Sequence, residues 1–199
     1  MATAPPAPDI PRSLRATFTY ADARAARLTK HALYRLRDEG LIDAIARGIF
    51  RRADAEPGDE GLLTLATRSP RATLCLASAL ARHGLSDAIP SEIDVALPRG
   101  VRTPRMTMPV RWHRFEPATF DVGRETVALD RSVRIGLYNA ERSIIDAFRT
   151  RRSEGPELGN EALRRWLRRR GAQPAKLLAM ARRFPRAEGP LRSALEILL

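Results

Sequence analysis

The sequence of 199 residues contains a single cysteine, Cys75, and this scarcity limits the chemistry that the chain can support. One cysteine cannot form a disulfide within the chain, and it cannot build a cysteine-based zinc site. The three histidines also lack metal-ligand spacing, such as two histidines four residues apart on a helix. We therefore expect a chain without metal or cofactor, in a reducing, cytoplasmic setting.

Long apolar runs are absent too, so the sequence predicts no membrane-spanning helix and no membrane partner. Residues 1–11 are rich in alanine and proline and lack the basic and apolar segments of a signal peptide, so we expect a disordered leader. A glycine-rich phosphate-binding loop is missing as well. These absences favour a protein that binds over one that catalyses, and we expect no enzymatic activity.

Lysine is nearly absent, and arginine supplies almost all of the positive charge. Of the 35 basic residues only Lys30 and Lys176 are lysines, and the formal net charge is +12. A balance this basic favours polyanionic partners, of which nucleic acid is the usual one. The charge is concentrated at both ends of the sequence, with a net +6 over residues 12–52 and a net +8 over residues 149–199.

Residues 12–52 have the pattern of a winged helix-turn-helix, a module that reads double-stranded DNA. The sequence predicts helices over Tyr20–Ala26 and Lys30–Glu39, each preceded by a threonine that can cap it. A glycine follows the second helix, where it can end it. Leu41–Ile45 and Ile49–Arg51 can then pair as a hairpin that turns at a glycine.

The second predicted helix has an apolar face and an opposite polar face. At 100° per residue, Leu33 and Leu36 point towards the core, and the polar side chains point away. The N-terminal half of such a face is the part that meets base edges in the major groove. The residues expected to bind DNA are Lys30, His31, Tyr34, Arg35, Arg37, Arg47, Arg51 and Arg52. The alternatives are a merely solvated basic face and a winged helix that contacts protein.

An acidic stretch with proline and glycine, residues 53–61, predicts a linker, and residues 62–199 predict an α+β domain with a small sheet and a helical C-terminal tail. The predicted strands are Ile93–Leu97, Val110–Phe115, Glu125–Leu129 and Val133–Leu137. The predicted helices are Ala72–His83, residues 140 to about 150 after an Asn139 cap, about Leu158–Arg169, Pro174–Arg183 and Pro190–Leu198.

Several side chains could belong to a catalytic site, but each has a simpler structural interpretation. Ser78 and His83 lie five residues apart on one predicted helix and so face different ways, which disfavours a nucleophile–base pair. Asp94 resembles one carboxylate of a nuclease site, yet no lysine follows it on a predicted strand. His113 is expected to be a packed or surface imidazole. Cys75, in the middle of a predicted helix, is expected to be a small buried residue.

Two further charge clusters remain. Glu141, Arg142 and Asp146 begin a helix, and the last two are four residues apart and can pair, so a structural ion network is favoured. The run RRWLRRR is either a solvated basic face or a second basic surface for a DNA backbone or an acidic partner. Its arginines are Arg164, Arg165, Arg168, Arg169 and Arg170.

Three stretches of the chain resemble the AbiEi-type antitoxins of type IV toxin–antitoxin (abortive infection) systems. They are FTYADARAARLTKHALYRLRDEGLIDAIARGIFR from Phe18, ASALARHGLSDAIPSEIDVALPRGVRTPR from Ala77, and IGLYNAERSIIDAFRTRRSEGPELGNEALRRWL from Ile135. The first stretch is generic among winged helices. The Ser-Ala-Leu, His-Gly-Leu and Glu-Arg-Ser-Ile-Ile-Asp segments, in this order, make the resemblance more specific.

The resemblance implies a transcriptional autorepressor that also acts as an antitoxin against a nucleotidyltransferase-like toxin encoded beside it. In that family the winged helix binds promoter repeats and the C-terminal domain contributes to antitoxicity. The resemblance carries DNA-facing roles onto Lys30, His31, Tyr34, Arg35 and Arg47. The chain has no Gly-Ser dipeptide and no Asp-x-Asp, so it lacks the nucleotidyltransferase site expected of the toxin itself.

Two alternatives remain open from the sequence. One is a stand-alone transcription factor whose C-terminal domain senses a ligand. The other is a nuclease or nucleotide-modifying enzyme that a winged helix targets to DNA.

Overall fold

Small sheets and helices alternate along the chain before a helical C-terminal tail, in a computed structural model that describes residues 9–88 and 90–199. The predicted α+β class, with its small sheet and helical tail, is thereby confirmed. Residues 1–8 of the predicted leader lie outside the described residues. The described residues divide into two compact units, one of residues 9–70 with 128–135, the other of residues 71–88 and 90–127 with 136–199.

The first unit begins with a three-stranded antiparallel sheet and two short helices. Its elements are β1 (Thr17–Thr19), α1 (Tyr20–Ala25), α2 (Lys30–Asp38), β2 (Ile42–Ala46), β3 (Ile49–Arg52) and α3 (Glu60–Arg68). The strands lie in the order β1–β3–β2, and Phe18 faces Phe50 across the β1–β3 pair. The predicted helices and hairpin agree with these bounds to within one residue.

Both predicted threonine caps are present, and they explain where α1 and α2 begin. The Thr19 hydroxyl accepts from the Asp22 amide at 3.1 Å, and the Asp22 carboxylate accepts from the Thr19 amide at 2.7 Å. This reciprocal capping box lowers the pKa of Asp22, mainly through the hydrogen bonds from Thr19. The Thr29 hydroxyl accepts from the Ala32 amide at 3.1 Å at the start of α2. A cap of this kind contributes roughly 1 kcal/mol.

The second unit contains a five-stranded sheet, apart from the strand-end residues Ala128, Arg134 and Ile135, and most of the helices. Its strands are β4 (Thr73–Leu74), β5 (Ile93–Pro98), β6 (Val110–Phe115), β7 (Arg124–Ala128) and β8 (Arg134–Tyr138). Their order is β6–β5–β4–β8–β7, with β4 antiparallel to β5 and parallel to β8. Its helices are α4 (Leu76–Arg82), α5 (Pro117–Phe120), α6 (Ala140–Arg149), α7 (Arg151–Glu154), α8 (Pro156–Leu167), α9 (Pro174–Ala181) and α10 (Pro185–Leu198).

Helix α6 lies at the centre of the second unit's main core. The Asn139 side chain accepts from the Arg142 amide at 2.9 Å, so the predicted cap is confirmed. Ile144, Ile145 and Phe148 are buried, as the apolar pattern predicts, and they belong to one cluster with residues of α8, α9 and α10. Full burial of each such side chain contributes roughly 1.5–3 kcal/mol.

The predicted helix over Ala72–His83 is wrong in its first turn. Thr73 and Leu74 form the central strand β4, which pairs with β5 on one side and β8 on the other. Cys75 then caps α4 instead of lying within a helix, and Leu76 has a positive φ of 44°. Cys75 is fully buried, as expected. The pairing of β4 with β5 and β8 therefore outweighs the helical preference of the sequence around Thr73 and Leu74.

The predicted linker and the predicted last helix also differ from the structure. Helix α3 begins at Glu60, inside the predicted linker, because the Asp59 carboxylate caps it by accepting from the Leu62 amide at 2.9 Å. Helix α10 begins at Pro185, and Pro190, the predicted start, lies inside it. No helix in the described part of the chain is long and apolar enough to cross a membrane.

Candidate nucleic-acid interface

Helix α2 separates its apolar and polar side chains onto opposite faces. Leu33 and Leu36 are 2% and 0% exposed and pack in the core of the first unit. Lys30, His31 and Tyr34 are exposed on the other face, as predicted. This face therefore offers an ammonium, an imidazole and a phenol within the first half of the helix.

Tyr34 is the centre of this exposed face. Its ring is flanked by the Arg37 guanidinium, 4.7 Å from the ring centroid, and by the Lys30 ammonium at 5.8 Å. Cation–π contacts of this kind are worth about 0.5–1 kcal/mol at exposed sites, and they hold the two cations beside the aromatic ring. Arg37 also contacts the Asp38 carboxylate at 2.7 Å.

Arg35 is less accessible than the sequence predicts. Its side chain is 25% exposed, and its Nη2 atom lies 3.4 Å from Glu39 one turn later. A surface pair at this distance is weak, because solvent screens it. Arg35 therefore lies at the edge of the α2 face, next to a carboxylate of the same helix.

Arg47 lies at the tip of the β2–β3 hairpin and is exposed, as predicted. Gly48 follows it with a φ of 75°, a conformation that glycine adopts without steric cost. The Gly48 carbonyl accepts from the Tyr20 amide at 2.9 Å, which ties the hairpin tip to the start of α1. The tip therefore has a defined position relative to the two helices.

Arg51 does not belong to the exposed surface, so its predicted place in a DNA-binding surface is wrong. The side chain is 7% exposed, and its Nη1 atom lies 3.6 Å from the Asp130 carboxylate. Its Nη2 atom donates to the Glu56 carbonyl. Burial opposes ionisation of Asp130, but hydrogen bonds from Ser132, Thr17 and Val133 lower its pKa. Arg51 is thus a structural cation.

Arg52 is held by a carboxylate of its own unit. Its Nε and Nη2 atoms donate to the two oxygens of Asp54, at 2.8 and 2.7 Å. This bidentate pair raises the pKa of Arg52, through the hydrogen bonds with Asp54. Because Asp54 already neutralises the guanidinium, a phosphate would have to compete for it.

The second predicted basic surface is divided because α8 ends within the arginine run. Helix α8 stops at Leu167, and the next residues turn at Gly171 with a φ of 83°. Arg165 pairs with Asp87 and Glu161, and Arg169 donates to the His83 carbonyl. The exposed members are Arg164, Arg168, Arg169 and Arg170. These side chains therefore do not share one helical face.

Ser78 and His83, considered as a nucleophile–base pair, do not contact each other and have different partners. The Ser78 hydroxyl accepts from the Asp94 amide at 2.8 Å, and the ring of His83 contacts the Tyr138 carbonyl at 2.8 Å. Each side chain therefore has a structural partner of its own, which agrees with the structural interpretation favoured from the sequence.

Asp94 and His113 form a contact that the sequence does not reveal. His113 Nε2 lies 2.8 Å from Asp94 Oδ1, and Arg111 Nε lies 3.6 Å from the same oxygen. Asp94 is only 1% exposed. The parallel pairing of β5 and β6 places these residues side by side, since Asp94 is in register with Arg111 and Ala96 with His113.

The ion pair predicted within α6 is present and fully buried. Arg142 Nε donates to Asp146 Oδ2 at 3.0 Å, and both side chains are 0% exposed. Arg149, which the sequence does not single out, contacts the other Asp146 oxygen at 2.8 Å. The Arg142 guanidinium also donates to the Thr119 and Val122 carbonyls, at 2.7 and 2.6 Å. The cluster is therefore a structural network, as expected.

The sequence matches no protein-family model and no curated protein. The fold is similar to the crystal structure of the RV2827C protein from Mycobacterium tuberculosis, with a TM-score of 0.49 and 18% identity. That similarity covers 92% of this chain and 76% of the other. At this level the match identifies neither a family nor a function.

Proposed function

We propose that residues 12–52 act as a winged helix-turn-helix that binds double-stranded DNA, with α2 as the recognition helix. The observation that carries this proposal is the arrangement of α2. Its first half exposes Lys30, His31 and Tyr34 over two buried leucines, and the β2–β3 hairpin carries Arg47 at its tip. In this class of module the recognition helix contacts base edges with its N-terminal residues.

Each exposed residue has a distinct role in the proposed complex. Lys30, His31 and Tyr34 contact base edges, where amine, imidazole and phenol groups donate hydrogen bonds. Arg37 and Arg47 contact the phosphate backbone, which sets register without reading sequence. Arg35, Arg37 and Arg52 each already contact a carboxylate, so a phosphate has to displace that contact before it can bind them.

The chain's two lysines provide a matched test. Lys30 lies in the proposed interface and Lys176 lies on α9, and both are exposed. Lys30→Ala should reduce the preference for the chain's own upstream DNA over a scrambled duplex by about 5- to 150-fold, which is roughly 1–3 kcal/mol. Lys176→Ala removes the same charge and should leave the preference unchanged. The measurement is a gel-shift titration. If both variants lose the same preference, α2 is not the recognition helix.

We further propose that the chain is an antitoxin and transcriptional autorepressor of a type IV toxin–antitoxin operon, countering a nucleotidyltransferase-like toxin. The resemblance of three separated stretches to AbiEi-type antitoxins supports this proposal. The antitoxin function is tested by expressing the gene that lies next to the one encoding this chain. Expression of an adjacent nucleotidyltransferase gene should arrest growth, and co-expression of this chain should restore it. Continued arrest would contradict the antitoxin function while leaving DNA binding to be judged by the lysine pair.

A second candidate function is a transcription factor whose second unit senses a ligand. The observation that favours it is a cavity of about 750 Å³ within the second unit. The absence of a neighbouring nucleotidyltransferase gene, together with specific DNA binding, would favour this candidate over the antitoxin.

A further inference from the structure

The second unit contains a pair of adjoining cavities, of about 750 and 600 Å³, that share Arg149, Thr150 and Arg186. We call them together the arginine cleft. The arginines that line it are Arg99, Arg114, Arg149, Arg151, Arg152, Arg183 and Arg186. We propose that the arginine cleft binds a nucleoside polyphosphate. This inference does not depend on the DNA-binding function proposed for the first unit.

The charge of the cleft is strongly unbalanced. Among the described residues that line the cleft, Glu116 is the only carboxylate, and it contacts Arg99 at 2.7 Å. Within the described residues, Arg151, Arg152, Arg183 and Arg186 have no carboxylate partner. Like charges gathered in a concavity repel one another and concentrate the positive potential, so a polyanion that enters is strongly favoured. Guanidinium groups match phosphate oxygens in a bidentate geometry.

Arg149 is already positioned towards this cleft. Its Nη2 atom lies 2.8 Å from Asp146, and its guanidinium lies 4.3 Å from the centroid of the Phe115 ring. The Nε atom of Arg149 is buried without a hydrogen-bond partner. Asp146 is shared with Arg142, so one carboxylate faces two guanidinium groups and leaves a positive charge at the cleft floor. An anion in the cleft would balance this charge.

The start of α10 adds to the positive potential. Phe184, Pro185 and Arg186 line the cleft, and α10 begins at Pro185 without a side-chain cap. The N-terminus of this 14-residue helix carries a partial positive charge, which favours phosphate. The N-terminus of α10 and the arginines therefore both raise the positive potential in the arginine cleft.

The volume and lining of the larger cavity favour a small ligand over a nucleic-acid duplex. A cavity of this volume lies in the range that holds cofactors and other small molecules. Phe115, Ala118, Phe184 and Pro185 supply apolar wall between the arginines. A nucleoside polyphosphate satisfies both parts, since its phosphates need cations and its base needs apolar contact.

The test is calorimetric titration of the full chain with ATP, AMP and adenosine. ATP should bind more tightly than AMP, and adenosine, which lacks phosphate, should bind least. Arg183→Gln with Arg186→Gln should weaken ATP binding at least tenfold. The matched control is Arg168→Gln with Arg170→Gln, which removes the same charge from exposed positions outside the cleft and should change ATP affinity less than twofold.

Three results would overturn the proposal. The first is no binding of ATP at millimolar concentration by a chain whose circular dichroism is that of the folded protein. The second is an equal loss in the cleft and control variants, which would reduce the effect to net charge. The third is that the cleft variant loses affinity for a scrambled duplex by tenfold, as much as it loses affinity for ATP. The cleft would then be a surface that binds the DNA backbone.

Discussion

Two neighbouring arginines of the first unit differ sharply in their surroundings. Arg47 is exposed at the hairpin tip, whereas Arg51 is buried near Asp130. The sequence predicts the same role for both, because nothing local distinguishes one basic residue of a hairpin from another. The difference arises from Asp130, which lies 79 residues later in the sequence than Arg51, and such a partner is invisible to local pattern.

This difference gives a paired prediction for stability and binding. Arg51→Ala leaves Asp130 without its cation and should lower the free energy of unfolding by on the order of 3 kcal/mol. Arg47→Ala should change it by less than about 0.5 kcal/mol, as is usual for an exposed residue, but should weaken DNA binding. Thermal unfolding and gel shift separate the two. If the Arg51→Ala protein keeps its stability but loses DNA binding, Arg51 contacts DNA and is not a structural residue.

Cys75 is a second residue whose environment determines its chemistry. It is fully buried, and burial, followed by the nearby charges of Asp94 and Asp146, raises the pKa of its thiol well above the ordinary value. Because the thiolate is the reactive form, Cys75 should not react with Ellman's reagent in the folded protein at pH 8. Denaturation should release one reactive thiol. Rapid stoichiometric labelling of the folded chain would contradict this burial.

At the scale of single elements, the structure follows local sequence wherever the decisive contact is local. Thr19, Thr29 and Asn139 cap their helices as predicted, because a cap needs only a side chain three residues from its amide. The two-residue strand β4 was not predictable in this way. Its partners, β5 and β8, lie well separated in the sequence, and its own length is too short for an alternating pattern.

Gly123 tests how tightly the start of α6 is packed. It has a φ of 67°, and a Cβ atom there would lie 2.7 Å from Arg142 Cβ and 2.9 Å from Asn139 Oδ1. Gly48 has a φ of 75°, but a Cβ atom there would meet nothing within 4 Å. Both alanine variants incur the backbone cost of about 1–2 kcal/mol. Gly123→Ala should lose about 1–3 kcal/mol more, because the packing must shift.

The Gly48→Ala variant is the control in this comparison, and chemical denaturation of both proteins provides the measurement. Equal destabilisation of the two variants would mean that the contact between Gly123 and α6 contributes nothing beyond the backbone term.

At the scale of the whole molecule, sequence shows how much charge is present but not where it is concentrated. The basic C-terminal segment predicts a polyanion partner, and the sequence places the possible binding surface in the arginine run at residues 164–170. The structure instead gathers arginines from four separated parts of the second unit around one cleft, near residues 99, 114, 149 and 186. Only tertiary packing brings such distant positions together. The α2 face, by contrast, was predictable because it lies on one helix.

A gel-shift titration of the full chain tests the central claim most directly. It compares the chain's own upstream DNA with a scrambled duplex at 50 and 200 mM salt. Base contacts from α2 predict that the preference for the upstream DNA persists at the higher salt while the affinity for both duplexes falls through loss of phosphate contacts. Equal affinity for both duplexes, disappearing at the higher salt, would contradict sequence-specific recognition and reduce binding to attraction by the +12 charge.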